Sequence, residues 1–363
     1  MKIAFVIYGL GSGGAERSVT GLANYFVNQH QVSIITLVKT TPFFELDPKV
    51  RLHYCLEQPK ERTNPIQSIT NGMVRIHRLV KLLKTEEAEV AISFMHTSNI
   101  YTIWAAKWLN LACVISERAN HDVASLPKIQ ELLRNFSYPY SSRLIVQTEG
   151  NRKYYQKIIP SNQIEIIPNA VSFDLKSKRQ LLKNFSEKTI LNVGAFRKGK
   201  AQDVLIRAFA KLSNTSWRLV FIGSGTDIDL YKALAVELGV SERIEFKGEQ
   251  KDVSYYYNKA SMFVFTSEHE GFPNALLEAL YFGIPSISTD CPHGPADLIT
   301  DGVNGFLIHV GDHEALVRKI DTLIEDQELQ KSFSKKAIEQ SSQYEIENIA
   351  KKWMVVIKSV LPS

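Results

Sequence analysis

Residues 3–27 read IAFVIYGLGSGGAERSVTGLANYFV. An apolar run over residues 3–7 meets glycine at Gly9, and residues 15–27 then have helical spacing. The run is too short for the core of a secretory signal, so it predicts a buried strand. A strand, a glycine turn and a helix in this order predict an α/β fold built on a parallel sheet.

The alternation of strand and helix continues beyond this stretch and then starts again. The first series of strand-like runs covers residues 3–7, 32–38, 90–94, 113–116 and 144–147. The second series covers residues 189–193, 218–222, 244–246, 262–265, 285–288 and 305–308. Helical spacing between the runs implies crossover connections, and hence two doubly wound, Rossmann-like domains that face a central cleft.

The two series predict where the domains begin and end. We predict an N-terminal domain over residues 1–168 and a C-terminal domain over residues 169–345. A polar, lysine-rich stretch over residues 172–188 is the best linker candidate. Residues 346–363 contain a helix by their spacing. The sequence leaves open whether this helix caps its own domain or crosses back to the first.

Composition excludes several classes of protein. The chain has 363 residues, of which 44% are hydrophobic, which is enough for two cores. A net charge of +5 is too small by itself to indicate nucleic-acid binding. Three well-separated cysteines, Cys55, Cys113 and Cys291, fit reduced structural thiols and predict a cytoplasmic protein. No apolar run is long enough to span a bilayer, so any membrane contact should be peripheral.

The first glycine loop, residues 9–14, matches the pattern G-x-G-x-x-G that binds dinucleotides. A dehydrogenase would need an acidic residue roughly 20 positions later, but the second predicted strand ends in Val38-Lys39-Thr40-Thr41. Two alternatives remain open. The loop is either a structural tight turn or a place where a substrate phosphate or sugar approaches the backbone closely.

The second glycine loop, residues 194–200, matches G-x-x-x-x-G-K. Ala201 stands where a nucleotide triphosphatase needs Ser or Thr, and residues 218–222 end without a magnesium-binding Asp, which disfavours that class. The loop carries three cations, Arg197, Lys198 and Lys200. They could neutralise a diphosphate without a metal, or they could form a solvated basic turn.

Residues 268–280 read EHEGFPNALLEAL directly after a predicted strand. Because Pro273 suits the first turn of a helix, Glu270 should lie in a loop and Glu278 more than one turn inside the helix. Backbone N–H groups of residues 271–274 would then be open to a ligand. The alternative is a capped surface helix with two incidental acids. Asp227 and Asp229 fit helix capping better than metal binding.

These motifs resemble those of retaining glycosyltransferases of family 4, which have the GT-B fold and an E-x7-E motif matched by Glu270 and Glu278. Further matches in chain order are residues 13–16, 116–118, 168–169, 194–200, 223–225, 283–285 and 301–305. The resemblance implies an acceptor-binding N-terminal domain and a C-terminal domain that binds a nucleotide sugar without metal. It implies that Glu270 contacts the donor sugar, Glu278 the ribose hydroxyls and Lys200 the diphosphate.

The resemblance also implies the wider set of site residues. The catalytic candidates are Glu270, Lys200, Arg197 and Arg118. The donor-binding candidates are Gly13, Gly14, Gly194, Gly271, Phe272, Pro273, Asn274 and Glu278. Two positions depart from the family pattern. Ala195 stands where many members of the family have arginine, and Arg197 is the candidate to compensate for that arginine. Arg118 replaces a histidine, so its role stays open between the donor phosphates, the acceptor and a structural acid.

A closer resemblance is to bacterial enzymes that extend undecaprenyl-diphosphate-linked oligosaccharides, particularly N-acetylgalactosaminyl transferases. It rests on residues 13–17, 92–94, 97–100 and 137–139. It implies a UDP-sugar donor, with UDP-GalNAc favoured, and a lipid-linked or polysaccharide acceptor. A nucleotide-sugar epimerase or hydrolase of the same architecture, and a non-catalytic sugar-nucleotide binding module, remain as rivals.

Residues 66–84 predict a basic amphipathic helix. Its apolar positions are Ile69, Met73, Ile76, Leu79, Val80 and Leu83, and its basic positions are Arg75, Arg78, Lys81 and Lys84. It is either an ordinary domain helix with a solvated basic face or a contact for an anionic membrane or a lipid diphosphate. Similar enzymes hold the acceptor pyrophosphate with such a helix. The acceptor or membrane candidates are therefore Arg17, Arg75, Arg78 and Lys81.

Overall fold

The computed structural model describes residues 1–58, 65–118, 126–180 and 187–362, without the side chains of residues 65–69. The chain forms two compact units. The first unit contains Met1–Ser172 and Tyr344–Ser363, and the second contains Phe173–Gln343. The division therefore falls four residues after the end of the predicted N-terminal domain at residue 168, and the C-terminal helix belongs to the first unit.

The first unit is a seven-stranded parallel sheet with helices on both faces. Its strands are β1 Lys2–Ile7, β2 Gln31–Val38, β3 Arg51–Leu56, β4 Val90–Phe94, β5 Ala112–Ser116, β6 Arg143–Val146 and β7 Ile164–Ile166. Its helices are α1 Gly14–Phe26, α2 Pro65–Thr85, α3 His96–Leu109, α4 Lys128–Ser137 and α5 Glu149–Tyr155. The strand order is β3-β2-β1-β4-β5-β6-β7.

Two strands of this sheet, β3 and β7, were not predicted, and they are its two edges. In β3 only the last two residues are buried, and β7 has only three residues. Central strands are buried on both faces and therefore read as continuous apolar runs. An edge strand needs no such run, so the pattern used for prediction does not detect it.

The second unit repeats the architecture with six parallel strands in the order β10-β9-β8-β11-β12-β13. Its strands are β8 Thr189–Val193, β9 Arg218–Ile222, β10 Ile244–Phe246, β11 Met262–Phe265, β12 Ser286–Thr289 and β13 Gly305–Ile308. Its helices are α6 Phe173–Lys178, α7 Gln202–Ala210, α8 Ile228–Glu237, α9 Ser254–Lys259, α10 Asn274–Tyr281, α11 Pro295–Leu298, α12 His313–Glu325 and α13 Gln327–Ser341. The predicted α/β class with two Rossmann-like sheets is confirmed.

The C-terminal helix, α14 Ile346–Val360, packs on the first unit, against α1. Trp353 is fully buried, and its ring stacks on Phe94 with centroids 5.6 Å apart. Ile349, Val356 and Ile357 are buried on the same side of the helix, as their spacing predicts. The helix thus completes the core of the first sheet.

The predicted linker over residues 172–188 is not wholly irregular. It contains helix α6, in which Leu175 is buried. A salt bridge of 3.0 Å joins Lys178 to Asp252 within the second unit. Residues 181–186 of this stretch lie outside the described residues.

Each sheet has a point where the strand order reverses. In the first sheet this point lies between β1 and β4, because β2 and β3 lie on one side of this pair and β5, β6 and β7 lie on the other. In the second sheet the corresponding pair is β8 and β11. Ligands of doubly wound sheets bind outside the carboxyl ends of the strands at such a point. Ligands are therefore expected at the loops after β1, β4, β8 and β11.

Candidate active site

The reversal point of the second sheet brings Lys200 and Glu270 together. Lys200 follows β8, Glu270 follows β11, and the Lys200 Nζ lies 2.5 Å from Glu270 Oε1. Both side chains are largely buried, at 16% and 11% exposure. The Nζ also lies 5.6 Å from the centre of the Phe265 ring. The two residues that the E-x7-E motif and the G-x-x-x-x-G-K loop predict as catalytic thus form one ion pair.

Backbone contacts fix the loops that carry this pair. The Glu268 N–H donates to the Gly199 carbonyl at 2.9 Å, and the Thr266 hydroxyl donates to the Lys200 carbonyl at 3.2 Å. Ala201, directly after Lys200, has a φ of +48°, which is strained for a residue with a Cβ. Lys200 therefore has a fixed backbone position relative to the Glu270 loop.

Glycines let the loop after β8 approach its neighbour after β9. A Cβ on Gly223 would lie 2.0 Å from the Gly194 carbonyl oxygen, and one on Gly225 would lie 2.1 Å from that of Phe196. Gly194 differs, because a Cβ there would meet nothing within 4 Å and its φ is not positive. Neither packing nor backbone strain explains Gly194, which is consistent with its predicted place beside a donor phosphate.

Glu278 lies in the second turn of α10, as predicted, and is buried at 5% exposure. The hydroxyl of Tyr257, on α9, donates to Glu278 Oε2 at 3.0 Å. Tyr257 is itself fully buried. This contact fixes the orientation of the carboxylate, so an incidental surface acid is the wrong description of Glu278.

The prediction of open backbone N–H groups over residues 271–274 is wrong in part. Helix α10 begins at Asn274, so Pro273 precedes the first turn and has no N–H. The Asn274 N–H donates to the Phe272 carbonyl at 3.0 Å. The side chains of Phe272 and Pro273 are buried, and Pro273 lies where a Cβ on Gly294 would touch it. Gly271, which comes directly before the buried Phe272 and Pro273, is partly exposed.

Other side chains near the carboxyl ends of the strands of the second sheet differ in exposure. Arg197 and Lys198 are exposed, and the Arg197 carbonyl accepts from the Lys200 N–H at 3.1 Å. Cys291 is buried, and burial together with the Glu270 charge raises the pKa of its thiol to about 12. A thiol with such a pKa is a poor nucleophile at neutral pH.

The reversal point of the first sheet brings a second group of predicted residues together. Gly13 caps α1 at the end of the first glycine loop, and Gly13 and Gly14 are both exposed. The Ser18 hydroxyl lies 3.0 Å from the Gly14 carbonyl and 3.0 Å from Asn169 Oδ1. Arg118 donates from Nη1 to the same Asn169 oxygen at 2.6 Å. Asn169 thus connects the glycine loop to Arg118.

Aromatic rings hold the guanidinium of Arg118. Its Cζ lies 4.8 Å from the centre of the Phe94 ring and 5.7 Å from that of Trp353. Burial lowers the pKa of Arg118 to about 9. Within the described residues Arg118 donates to the Asn169 side chain and forms no salt bridge, which disfavours the alternative that Arg118 pairs with a structural acid.

A buried polar network lies next to Arg118. Glu117 accepts hydrogen bonds from the hydroxyl of Tyr138 and from Asn99 Nδ2. Burial raises the pKa of Glu117 to about 7. Asn99 Nδ2 also donates to the Ser116 carbonyl at 3.0 Å, which fixes the end of β5. Asn99 and Tyr138 lie in segments that carry the resemblance, but no local pattern predicts this cluster, because Asn99, Tyr138 and Trp353 reach it from three different helical segments.

The predicted acceptor residues are not all on one surface. Arg75 is buried at 5% exposure and lies over the Tyr101 ring of α3, so its assignment to an exposed basic face is wrong. Met73, predicted on the apolar face, is 58% exposed. Arg78 and Lys81 are exposed, and Arg78 Nη1 donates to the Cys55 carbonyl at 2.6 Å.

Arg17, on α1, lies 5.9 Å from the Phe44 ring. The side chains of Ile66 and Ile69, in the helix that carries Arg75, lie outside the described residues.

The part of the chain that the structure describes contains no group of three or more His, Cys, Asp or Glu side chains that could hold a metal ion. Asp227 precedes α8 without a side-chain capping bond and accepts from the Thr226 hydroxyl at 2.8 Å instead. Among the same residues, no helix is long and apolar enough to cross a bilayer.

Comparison with solved structures finds the same fold. HepE from Anabaena, solved with UDP, superposes with a TM-score of 0.83 at 17% identity over 99% of this chain and 100% of that one. A glycosyltransferase from Rickettsia africae superposes with a TM-score of 0.82 at 17% identity, covering 99% and 98%. These neighbours have the GT-B arrangement of Rossmann-like domains, which confirms the predicted fold class.

Comparison of sequences identifies the family. Residues 12–175 match Glycosyltransferase Family 4, and residues 174–340 match Glycosyl transferases group 1. A Campylobacter jejuni relative is 30% identical over 99% of both chains, and its name is GalNAc-alpha-(1->4)-GalNAc-alpha-(1->3)-diNAcBac-PP-undecaprenol alpha-1,4-N-acetyl-D-galactosaminyltransferase. A second protein from that organism, an N-acetylgalactosamine-N,N'-diacetylbacillosaminyl-diphospho-undecaprenol 4-alpha-N-acetylgalactosaminyltransferase, is 28% identical over 96% of this chain and 97% of its own. The chain therefore belongs to the family 4, group 1 glycosyltransferases.

Proposed function

We propose that this enzyme transfers a hexosyl or N-acetylhexosaminyl unit from a UDP-sugar to a lipid-linked oligosaccharide or a cell-surface polysaccharide precursor, with retention of configuration. The observation that carries the proposal is the Lys200–Glu270 ion pair at the reversal point of the second sheet. The names of the Campylobacter jejuni relatives favour an N-acetylgalactosamine donor and an undecaprenyl-diphosphate-linked acceptor. The UDP complex of HepE favours a uridine nucleotide.

The transfer requires stabilisation of a departing phosphate. The bond between the anomeric carbon and the β-phosphate oxygen breaks, and its electron pair leaves with UDP. The acceptor oxygen then bonds to the anomeric carbon on the same face, and its proton passes to the departing phosphate. Lys200, positioned by Glu270, would stabilise the charge that develops on that phosphate, with Arg197 as a second cation.

We propose that the reaction needs no metal, since the loop after β8 already provides cations for the diphosphate. Arg197 and Lys200 both lie in that loop. Cations in such a loop can neutralise phosphate charge directly. Glu278, held by Tyr257, would accept hydrogen bonds from the two ribose hydroxyls.

One assay separates this proposal from its rivals. The protein is incubated with a panel of UDP- and GDP-sugars and a bacterial membrane lipid extract, with and without EDTA, and both nucleotide release and labelled lipid are measured. A transferase releases nucleotide in proportion to labelled lipid. An epimerase or hydrolase converts the donor without acceptor, and a binding module releases nothing. Strong inactivation by EDTA, reversed by Mn²⁺ or Mg²⁺, would contradict the metal-free reaction.

We also propose that the exposed basic residues of α2 place the enzyme at the anionic inner face of the plasma membrane. Arg78, Lys81 and Lys84 are exposed, whereas the buried Arg75 takes no part. Each basic residue near an anionic surface contributes about 1 kcal/mol. Three free, buried cysteines are consistent with the reducing conditions of that compartment.

Replacing Arg78, Lys81 and Lys84 together with glutamine is expected to weaken binding to anionic vesicles at least roughly tenfold at low salt. Glutamine keeps a donor for the contact of Arg78 with Cys55. Vesicle co-sedimentation measures the effect, and calorimetry should show unchanged UDP binding. The matched control replaces three exposed lysines of the second unit, Lys232, Lys331 and Lys336. An equal loss in this control would show that net charge, rather than α2, decides the binding.

A further inference from the structure

The apolar side of helix α4 is exposed, although its hydrophobic spacing would place that side in a core. Its apolar residues are Ile129, Leu132, Leu133 and Phe136. Their spacing of three and four residues puts them on one face. Their exposed fractions are 68%, 69%, 47% and 58%. Single exposed apolar residues are ordinary, but a contiguous apolar patch marks an interaction surface.

The opposite side of α4 explains why the helix is oriented in this way. Arg134 is buried at 4% exposure, and its Nη2 donates to the Tyr154 hydroxyl at 2.8 Å. Its Cζ also lies 5.4 Å and 5.7 Å from the rings of Tyr154 and Tyr155. Rotating the helix to bury its apolar face would break these contacts and expose the ring partners. The exposure of the apolar face is therefore fixed by the fold.

Aromatic residues of the neighbouring helix α3 and of the turn Tyr138–Tyr140 after α4 extend this surface. Trp108 is 71% exposed and Tyr140 is 47% exposed. Phe136 stacks on Trp104 with ring centroids 5.9 Å apart. The Lys107 Nζ lies 3.7 Å from the centre of the Tyr140 ring. The patch thus combines an apolar centre with aromatic side chains and a lysine at its margin.

Basic residues outnumber acidic ones on α4 and on the helices that precede it. Helix α3 lies between α2 and α4. These three helices carry seven basic residues, which are Arg75, Arg78, Lys81, Lys84, Lys107, Lys128 and Arg134, and one acidic residue, which is Glu131. Five of the seven are exposed, since Arg75 and Arg134 are buried. Glu131 itself lies 3.3 Å from Arg134.

We infer that the apolar face of α4, together with Trp108, inserts into the interface of an anionic lipid bilayer. Aromatic side chains favour the boundary between headgroups and acyl chains, and amphipathic helices with basic flanks lie in that boundary. The basic flank complements anionic lipid. A symmetric dimer through this face would instead place the two basic flanks next to each other. The inference extends the proposed function and rests on it in one respect, which is that the acceptor carries a lipid.

Vesicle binding tests the inference with the full-length chain. The variant Ile129→Gln/Leu132→Gln removes two side chains that are more than two-thirds exposed, so folding should be retained. The matched control, Leu230→Gln/Val236→Gln, removes two equally exposed apolar side chains from α8 in the second unit. The probe is a vesicle of phosphatidylglycerol and phosphatidylethanolamine, used at low and high salt, with sedimentation velocity run on each protein.

The α4 variant is expected to lower the partition coefficient about tenfold at both salt concentrations, because apolar contact is not screened. The control should bind like wild type. Tryptophan emission should shift to the blue on binding in wild type, and this shift should be absent in Trp108→Phe. Unchanged binding of the α4 variant would overturn the inference. The inference would also be overturned if the α4 variant lost self-association but kept vesicle binding, because this result would assign the face to a second copy of the chain. If the variant loses vesicle binding while wild type transfers no sugar, the proposed function fails and the inference stands.

Discussion

Replacing Lys200 with alanine is expected to lower turnover about 10²- to 10³-fold, which is the usual cost of removing one group that stabilises developing charge. The Lys200 ammonium lies 2.5 Å from Glu270 Oε1 at the reversal point of the second sheet. Charge on the departing phosphate grows during bond cleavage, so the loss should be larger in kcat than in donor affinity. Steady-state kinetics and calorimetry with UDP separate the two quantities.

The neighbouring Lys198 provides the control for this prediction. It has the same charge two residues away but is exposed, so Lys198→Ala should have a much smaller effect. Because Lys200→Ala also leaves Glu270 without its cation in a largely buried place, thermal unfolding of the variant must be measured. Equal effects of the two substitutions, or a loss of UDP affinity as large as the loss of turnover, would contradict the proposed role of Lys200.

Replacing Glu278 with glutamine is expected to weaken UDP binding by about 1.5 to 3 kcal/mol, roughly 10- to 150-fold, because an amide is a weaker acceptor than a carboxylate for the ribose hydroxyls. The fold should survive. Glutamine has the same shape and can still accept the hydrogen bond from Tyr257 that Glu278 accepts at 3.0 Å. Calorimetry with UDP measures the effect.

A second variant tests how Glu278 is held. Tyr257→Phe removes the hydroxyl that contacts Glu278 Oε2 but leaves the buried ring in place. Its loss of UDP affinity should be smaller than that of Glu278→Gln, since the carboxylate keeps its charge. Wild-type affinity in a folded Glu278→Gln variant would remove Glu278 from the nucleotide site.

Local patterns were sufficient for the central elements of the fold. Strands such as β1 and β4 are buried on both faces and therefore read as short apolar runs between glycines and helical segments. The edge strands β3 and β7 escaped prediction because no second face had to be buried. The same local reasoning placed Glu278 in the second turn of its helix, since position within a helix depends only on where that helix begins.

The burial of α2 and α4 shows where local reasoning fails. The spacing of apolar residues predicts one buried face on α2, yet Arg75 is buried and Met73 is exposed. In α4 the apolar stripe faces solvent while Arg134 is buried against Tyr154. Which face of a helix is covered depends on the neighbour it meets. Aromatic rings from α3 and α5 provide polar and cation–π partners for arginine that hydrophobic periodicity cannot include.

The sequence alone predicts the α/β class, the two series of strands, and the residues whose chemistry suits a phosphate and a sugar, because these depend on neighbours within one turn or strand. Which of these residues meet depends on how the whole chain folds. Lys200 and Glu270 are 70 positions apart, and Arg118 and Asn169 are 51 apart. They come together because parallel strands gather their carboxyl ends at one edge of a sheet. The order of strands in that sheet is set by packing over the whole chain, which no local window contains.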